Sequence, residues 1–225
     1  MSTLLLSGWA QPADALAHLA ADAVLFDYSD YTPPEAIEAI RGMQGERIIA
    51  WSLGGQLALQ AIAAGMMPRH LTLIASPHQF VSGGEIQGMD PLTFRLFRES
   101  YAKDPARTKT RFHALTAKGD REPKRIIAQL HHHPDVEHTS RWLPWLDALG
   151  EAAIEMSTLA SAPPTLIIHG MNDAIVPFSQ GEYIARHLPN ATVSGWPDCC
   201  HAPHLHDAAR AVREIAQHRA AHGVA

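Results

Sequence analysis

A five-residue run, Arg47-Ile48-Ile49-Ala50-Trp51, meets a single serine and passes without a linker into a helical pattern from Leu53 to Ala64. A strand that becomes a helix over one residue forces two backbone segments together, so the positions two before and two after Ser52 must be small. Ala50 and Gly54 meet that requirement. The turn would hold Ser52 at the carboxyl end of a strand and at a helix N-terminus, where the helix dipole stabilises negative charge. A serine at such a junction is in general only an N-cap, so its meaning depends on what else the chain brings to that strand end.

The same rhythm recurs along the chain. Short apolar strands are predicted at Thr3–Leu6, Ala23–Tyr28, Arg47–Trp51, His70–Ala75, Thr165–His169 and Thr192–Gly195, separated by helices at Ala10–Ala21, from Pro33, Leu53–Ala64, Gln180–His187 and Asp207–Ala220. Strands alternating with helices predict an α/β fold with a mostly parallel sheet buried on both faces. Between Pro77 and Ala162 the strands stop, and helical runs follow at Pro91–Tyr101, Arg107–Lys118, Glu122–Leu130 and Ser140–Leu159. The expected organisation is a core of residues 1–76 and 163–225 carrying a helical lid, residues 77–162. With 46% hydrophobic and 18% charged residues over 225 positions, the chain is expected to pack rather than stay disordered. Its apolar runs fall far short of the ~18 residues of a membrane span. The segment Met1–Trp9 lacks the basic start and small-residue cleavage site of a secretory signal, so a cytoplasmic protein is expected. A net charge of −5 disfavours nucleic acid as a partner.

A serine hydroxyl is a weak nucleophile until a base takes its proton, and the base needs an orienting acid. Asp173 lies in the loop Gly170-Met171-Asn172-Asp173 at the end of a predicted strand, where such an acid belongs. The base is sought among His201, His204 and His206. His201 is preferred because it falls in the loop just before the final helix, whereas His204 and His206 read as surface or packing residues. An oxyanion would need two backbone N–H donors; Leu53, after the serine, offers one, and Trp9, freed for close approach by Gly8, offers the other. Trp51 is expected to wall the acyl site. Cys199 and Cys200, adjacent and alone, make neither a disulfide framework nor a four-ligand zinc site. His131-His132-His133 reads as a polar loop, so neither metal nor cofactor is expected.

Ser7-Gly8-Trp9, Ala50-Trp51-Ser52-Leu53-Gly54-Gly55, Phe112-His113-Ala114-Leu115, Gly170-Met171-Asn172-Asp173 and Cys200-His201-Ala202-Pro203 together resemble the α/β-hydrolase esterases of biotin synthesis, the pimeloyl-[acyl-carrier protein] methyl ester esterases. The resemblance implies an α/β-hydrolase fold with a helical lid, a triad of Ser52, Asp173 and His201, and an oxyanion hole from Trp9 and Leu53. It also implies a carrier-bound pimeloyl methyl ester as substrate. Two departures stand out. Ser7 occupies a position where the family often has histidine, and the chain begins directly at the first strand, as in a shorter group of such esterases.

Between Arg95 and Arg125 there are ten basic residues against four acidic, a net of +6 on an acidic chain. Such a run reads either as a solvated helix face or as a dock for an acidic carrier protein. Arg107 with Arg111 and Arg121 with Arg125, each pair four apart, would each share a helix face. A monomer is expected.

Overall fold

The computed structural model describes residues 2–43, 47–131 and 141–224. Six strands form one wholly parallel sheet: β1 (Thr3–Leu6), β2 (Ala23–Leu25), β3 (Arg47–Trp51), β4 (His70–Ile74), β5 (Thr165–Gly170) and β6 (Ala191–Trp196), in the order β2-β1-β3-β4-β5-β6. The four central strands are buried along their whole length, as continuous apolar runs require in a sheet covered on both sides. The edge strand β2 exposes Val24 and Leu25.

Alternation sorts each strand between two cores. Along β3, Ile48 and Ala50 join one apolar cluster while Ile49 and Trp51 join the other. The first core packs α1 (Pro33–Gly42), α2 (Leu53–Ala63) and α7 (Phe178–His187) on the sheet; the second packs α9 (Ala208–Ala221) and a 3-10 segment, Ala13–Leu19. That segment was expected as an ordinary helix. Its two buried residues, Leu16 and Leu19, are three apart, the spacing that eclipses in a 3-10 turn.

The chain between β4 and β5 holds α3 (Pro91–Lys103), α4 (Pro105–Thr116), α5 (Pro123–His131) and α6 (Trp142–Glu151). Asp90 and Asp104 cap α3 and α4 by accepting from the N–H groups of Thr93 and Arg107, and a proline opens each helix. The expected single helix from Ser140 to Leu159 is two pieces. After α6 the backbone extends, so that Ala153 bridges Gln79 and the Ile154 N–H reaches the His78 carbonyl, before a 3-10 turn at Met156–Leu159. Ser140, like His132 and His133, lies outside the described residues. The second strand also ends early, at Leu25, because Phe26 and Tyr28 turn inward, where Phe26 stacks on Tyr31 and Tyr28 meets Trp145 edge-on. Among the described residues no helix is long and apolar enough to cross a membrane.

Candidate active site

Ser52 sits between β3 and α2 with φ 52° and ψ −115°, a left-handed conformation that costs a non-glycine residue of order 1–3 kcal/mol. The surroundings enforce it. The Ser52 N–H donates to the Ile74 carbonyl at 2.9 Å, and a Cβ on Gly54 would stand 2.2 Å from the Leu6 carbonyl oxygen. Gly55 is equally constrained, since its Cβ would fall 1.9 Å from Ser76 Oγ. The sequence requirement for small residues is therefore a contact between the α2 start and the β1 end.

The structure brings three side chains, from three strand ends, into one line. Ser52 Oγ lies 3.0 Å from His201 Nε2, and His201 Nδ1 donates to Asp173 Oδ2 at 2.7 Å. The Asp173 side chain is wholly buried, and four donors surround it: Oδ1 accepts from the N–H groups of Ile175 (2.8 Å) and Val176 (2.9 Å), while Oδ2 also faces His169 Nε2 at 3.3 Å. Burial alone would raise this carboxyl. The charge interaction with His201 and the bonds from His169 and His201 outweigh it, and Asp173 is held well below the usual carboxylate range. His204, the alternative base, is buried against Trp51 and His18. His206 instead pairs with Asp120 through Nδ1, at 2.8 Å.

Leu53 is the first residue of α2, so its N–H has no acceptor within the helix. The Ser7–Gln11 loop lies against the same turn, for a Cβ on Gly8 would stand 3.1 Å from the Trp51 ring. Trp9 points away from the sheet: its Nε1 donates to the Trp142 carbonyl at 2.8 Å, and Phe97, Tyr101 and Phe112 surround its ring edge-on. Tyr28 steadies this loop by donating to the Ser7 carbonyl at 2.8 Å.

Trp51 does not join that aromatic group. It belongs to the opposite core, donates from Nε1 to the His201 carbonyl at 2.9 Å, and borders a groove of about 740 Å³ with His18, Gln129 and His204. Its position braces the His201 loop in place of the acyl wall expected for it. The arginines divide similarly. Arg107 and Arg111 are exposed on α4, but Arg121 precedes α5, so it shares no helix face with Arg125. Arg125 turns inward, donating to the carbonyls of Leu205 (2.9 Å) and His206 (2.7 Å).

Sequence reasoning missed His169. Its position beside a strand-end glycine gave no signal by itself; its value comes from lying four residues before Asp173, across a turn that folds back on it. It also missed the α4–α5 turn, whose Thr116 carbonyl accepts from the His201 N–H (3.2 Å) and whose Gly119 carbonyl accepts from Asn172 Nδ2 (3.2 Å).

A serine raised on a strained turn, relayed through an imidazole to a buried carboxylate in the chain order Ser, Asp, His, on a parallel sheet, defines a class. The chain belongs to the alpha/beta hydrolase family, whose model matches residues 4–215. Among individual proteins it is similar to the pimeloyl-[acyl-carrier protein] methyl ester esterase of Nitrosomonas europaea, with 32% identity covering 70% of this chain and 65% of that protein. The protein of the same name from Xanthomonas campestris pv. campestris is 30% identical, covering 80% and 74%. The match thus spans about two thirds of the length of the first of these relatives. Of solved structures, an esterase from Exiguobacterium antarcticum shares the fold with a TM-score of 0.80 at 16% identity, covering 96% of this chain and 91% of that one.

Proposed function

We propose that this protein is a carboxylic ester hydrolase that cleaves the methyl ester of a pimeloyl chain carried on acyl carrier protein. The observation that carries the reading is the continuous Ser52–His201–Asp173 relay, 3.0 Å and 2.7 Å at its two links. In the first half-reaction His201 Nε2 takes the Ser52 proton as Oγ attacks the ester carbonyl. The N–H groups of Leu53 and Trp9 receive the developing oxyanion. Asp173 holds the imidazole in the required tautomer and stabilises the imidazolium, which then gives its proton to departing methanol. In the second half-reaction water, deprotonated by His201, attacks the acyl-enzyme, and Ser52 recovers its proton as the acid is released.

The helical insertion, residues 77–162 on a core of 1–76 and 163–225, acts in this reading as a lid. The ring group of Trp9, Phe97 and Phe112 supplies an apolar lining suited to an aliphatic chain. The carrier docks through exposed cations, with Arg107 and Arg111 foremost and Arg121 beside them, while Arg125 serves the fold. The curated relatives' names support the carrier-bound ester as substrate.

Complementation tests the whole reading. A biotin-requiring strain that lacks its own esterase should grow when given the wild-type gene and fail with Ser52→Ala. Growth with both, or with neither, would overturn it. Purified enzyme should hydrolyse the carrier-bound ester faster than the free dimethyl ester; equal rates would point to an esterase of free substrates.

A further inference from the structure

Three side chains that the proposed reaction does not use meet behind the His201 loop. Asp120 comes from the α4–α5 turn, Cys199 from the loop after β6, and His206 from α8 (Pro203–His206). Their ligand atoms lie within 4.8 Å of one another. Asp120 and Cys199 are buried, and His206 is the most exposed of the three, so an ion would enter beside α8.

A buried carboxylate needs compensation, and Asp120 accepts from the Glu122 N–H and from His206 Nδ1, each at 2.8 Å, and from the Cys200 thiol. A thiol adds little to that tie, being a weak donor and a weak acceptor. The three atoms make better sense together. Carboxylate oxygen, imidazole nitrogen and thiolate sulfur are the donor set of zinc, whereas calcium and magnesium take oxygen alone.

We propose that Asp120, Cys199 and His206 form a binding site for a thiophilic divalent cation of the zinc type, with a fourth position left to water. On binding, the Cys199 thiol loses its proton to solvent and the sulfur donates a lone pair to the metal. His206 gives up its hydrogen bond to Asp120 and coordinates as neutral imidazole. The ion would cross-link the insertion to a loop two residues from His201. Sequence spacing conceals the site, because Asp120 stands 79 residues before Cys199.

Cadmium alone, titrated into the full-length reduced protein, reports sulfur ligation through its ultraviolet charge-transfer band. The band should saturate at one ion per chain, disappear in Cys199→Ser and persist in Cys200→Ser. Zinc competition against a chromogenic chelator should show at least a tenfold weaker site in Asp120→Asn and in His206→Gln. No sulfur band in the wild type, a band that survives Cys199→Ser, a band lost in Cys200→Ser, or unchanged zinc affinity in both other variants would overturn the proposal. The readout is binding, so these outcomes bear on the metal site and leave the esterase reading to its own test.

Discussion

Two parts of the helical insertion are attached by different physics. The α4–α5 turn is joined to the triad loops by directional bonds. Thr116 accepts from the His201 N–H, Gly119 from Asn172, the Asp198 carbonyl from the Arg121 N–H (3.1 Å), and Arg125 holds the two carbonyls of α8. Helix α3 is attached mainly by ring faces. Phe97 and Tyr101 lie against Trp9, Phe94 meets Phe80, and one ion pair joins Arg98 to Asp147 of α6. Leu92 and Leu96 remain half exposed on its outer side. Hydrogen bonds fix positions to within tenths of an ångström, while apolar contacts are non-directional. The α4–α5 turn therefore belongs to the scaffold that aligns His201, and α3 is the part that, on the proposed function, would adjust to an acyl chain.

The largest effect tests the premise that alignment is what the scaffold delivers. Asp173→Asn keeps the shape but should favour the wrong imidazole tautomer, lowering kcat by about 10⁴-fold with little change in KM. A loss below tenfold would mean that the bonds from the α4–α5 turn suffice to orient His201 without the carboxylate. Next, Arg125→Met strands two carbonyls of α8. Charge-assisted hydrogen bonds contribute ~1.5–3 kcal/mol when dry, but this side chain is 40% exposed, so a loss of about 1–2 kcal/mol is expected, or roughly 3–6 °C in the thermal midpoint. Leu96→Ser on α3 should stay within about 0.5 kcal/mol. Equal losses in the two variants would break the distinction drawn above.

Reversing the charge on α4 separates scaffold from dock. Arg107→Glu with Arg111→Glu should slow turnover of the carrier-bound ester about tenfold at low salt, chiefly through encounter. The deficit should shrink as salt screens it. Hydrolysis of the free methyl ester should be unchanged. A matching fall on both substrates would show that α4 shapes the site instead of receiving a partner.

What the sequence reveals follows from the range of each interaction. Ser52, Asp173 and His201 are legible because each follows a strand, and a parallel sheet gathers strand ends at one edge. The side taken by Trp51 was also within reach: alternation along β3 puts it opposite Ala50, away from the Trp9 rings. Pro123 marks the start of α5 and so excludes Arg121 from that helix. The bonds of Arg125 and Asp120 to α8 span 80 and 86 residues, and no local pattern encodes a partner so distant.

His113 offers the smallest and sharpest probe, because it lies where the insertion meets the Ser7–Gln11 loop. Its ring is buried, its Nε2 stands 3.5 Å from the Gln11 amide, and Nδ1 has no hydrogen-bond partner among the described residues. Burial, with His131 and Lys109 nearby, pushes its pKa down to about 4. An unfolded histidine titrates near 6.5, so between about pH 6.5 and pH 4 the unfolded chain binds a proton that the folded one refuses. Stability then rises with pH across that window: the contribution is complete above about 6.5 and is lost progressively as the pH falls toward 4. His113→Leu removes this dependence while keeping an apolar packing group. In urea unfolding at pH 7 and pH 5, the wild type should lose more stability on acidification than the variant, by on the order of 1 kcal/mol. His78 and His70, lowered by burial to about 4 and about 3, remain in both proteins as a common background. Identical losses would mean that the α4 ring accepts a proton without leaving its place, and that the joint between the insertion and the Ser7–Gln11 loop is wetter than its burial implies.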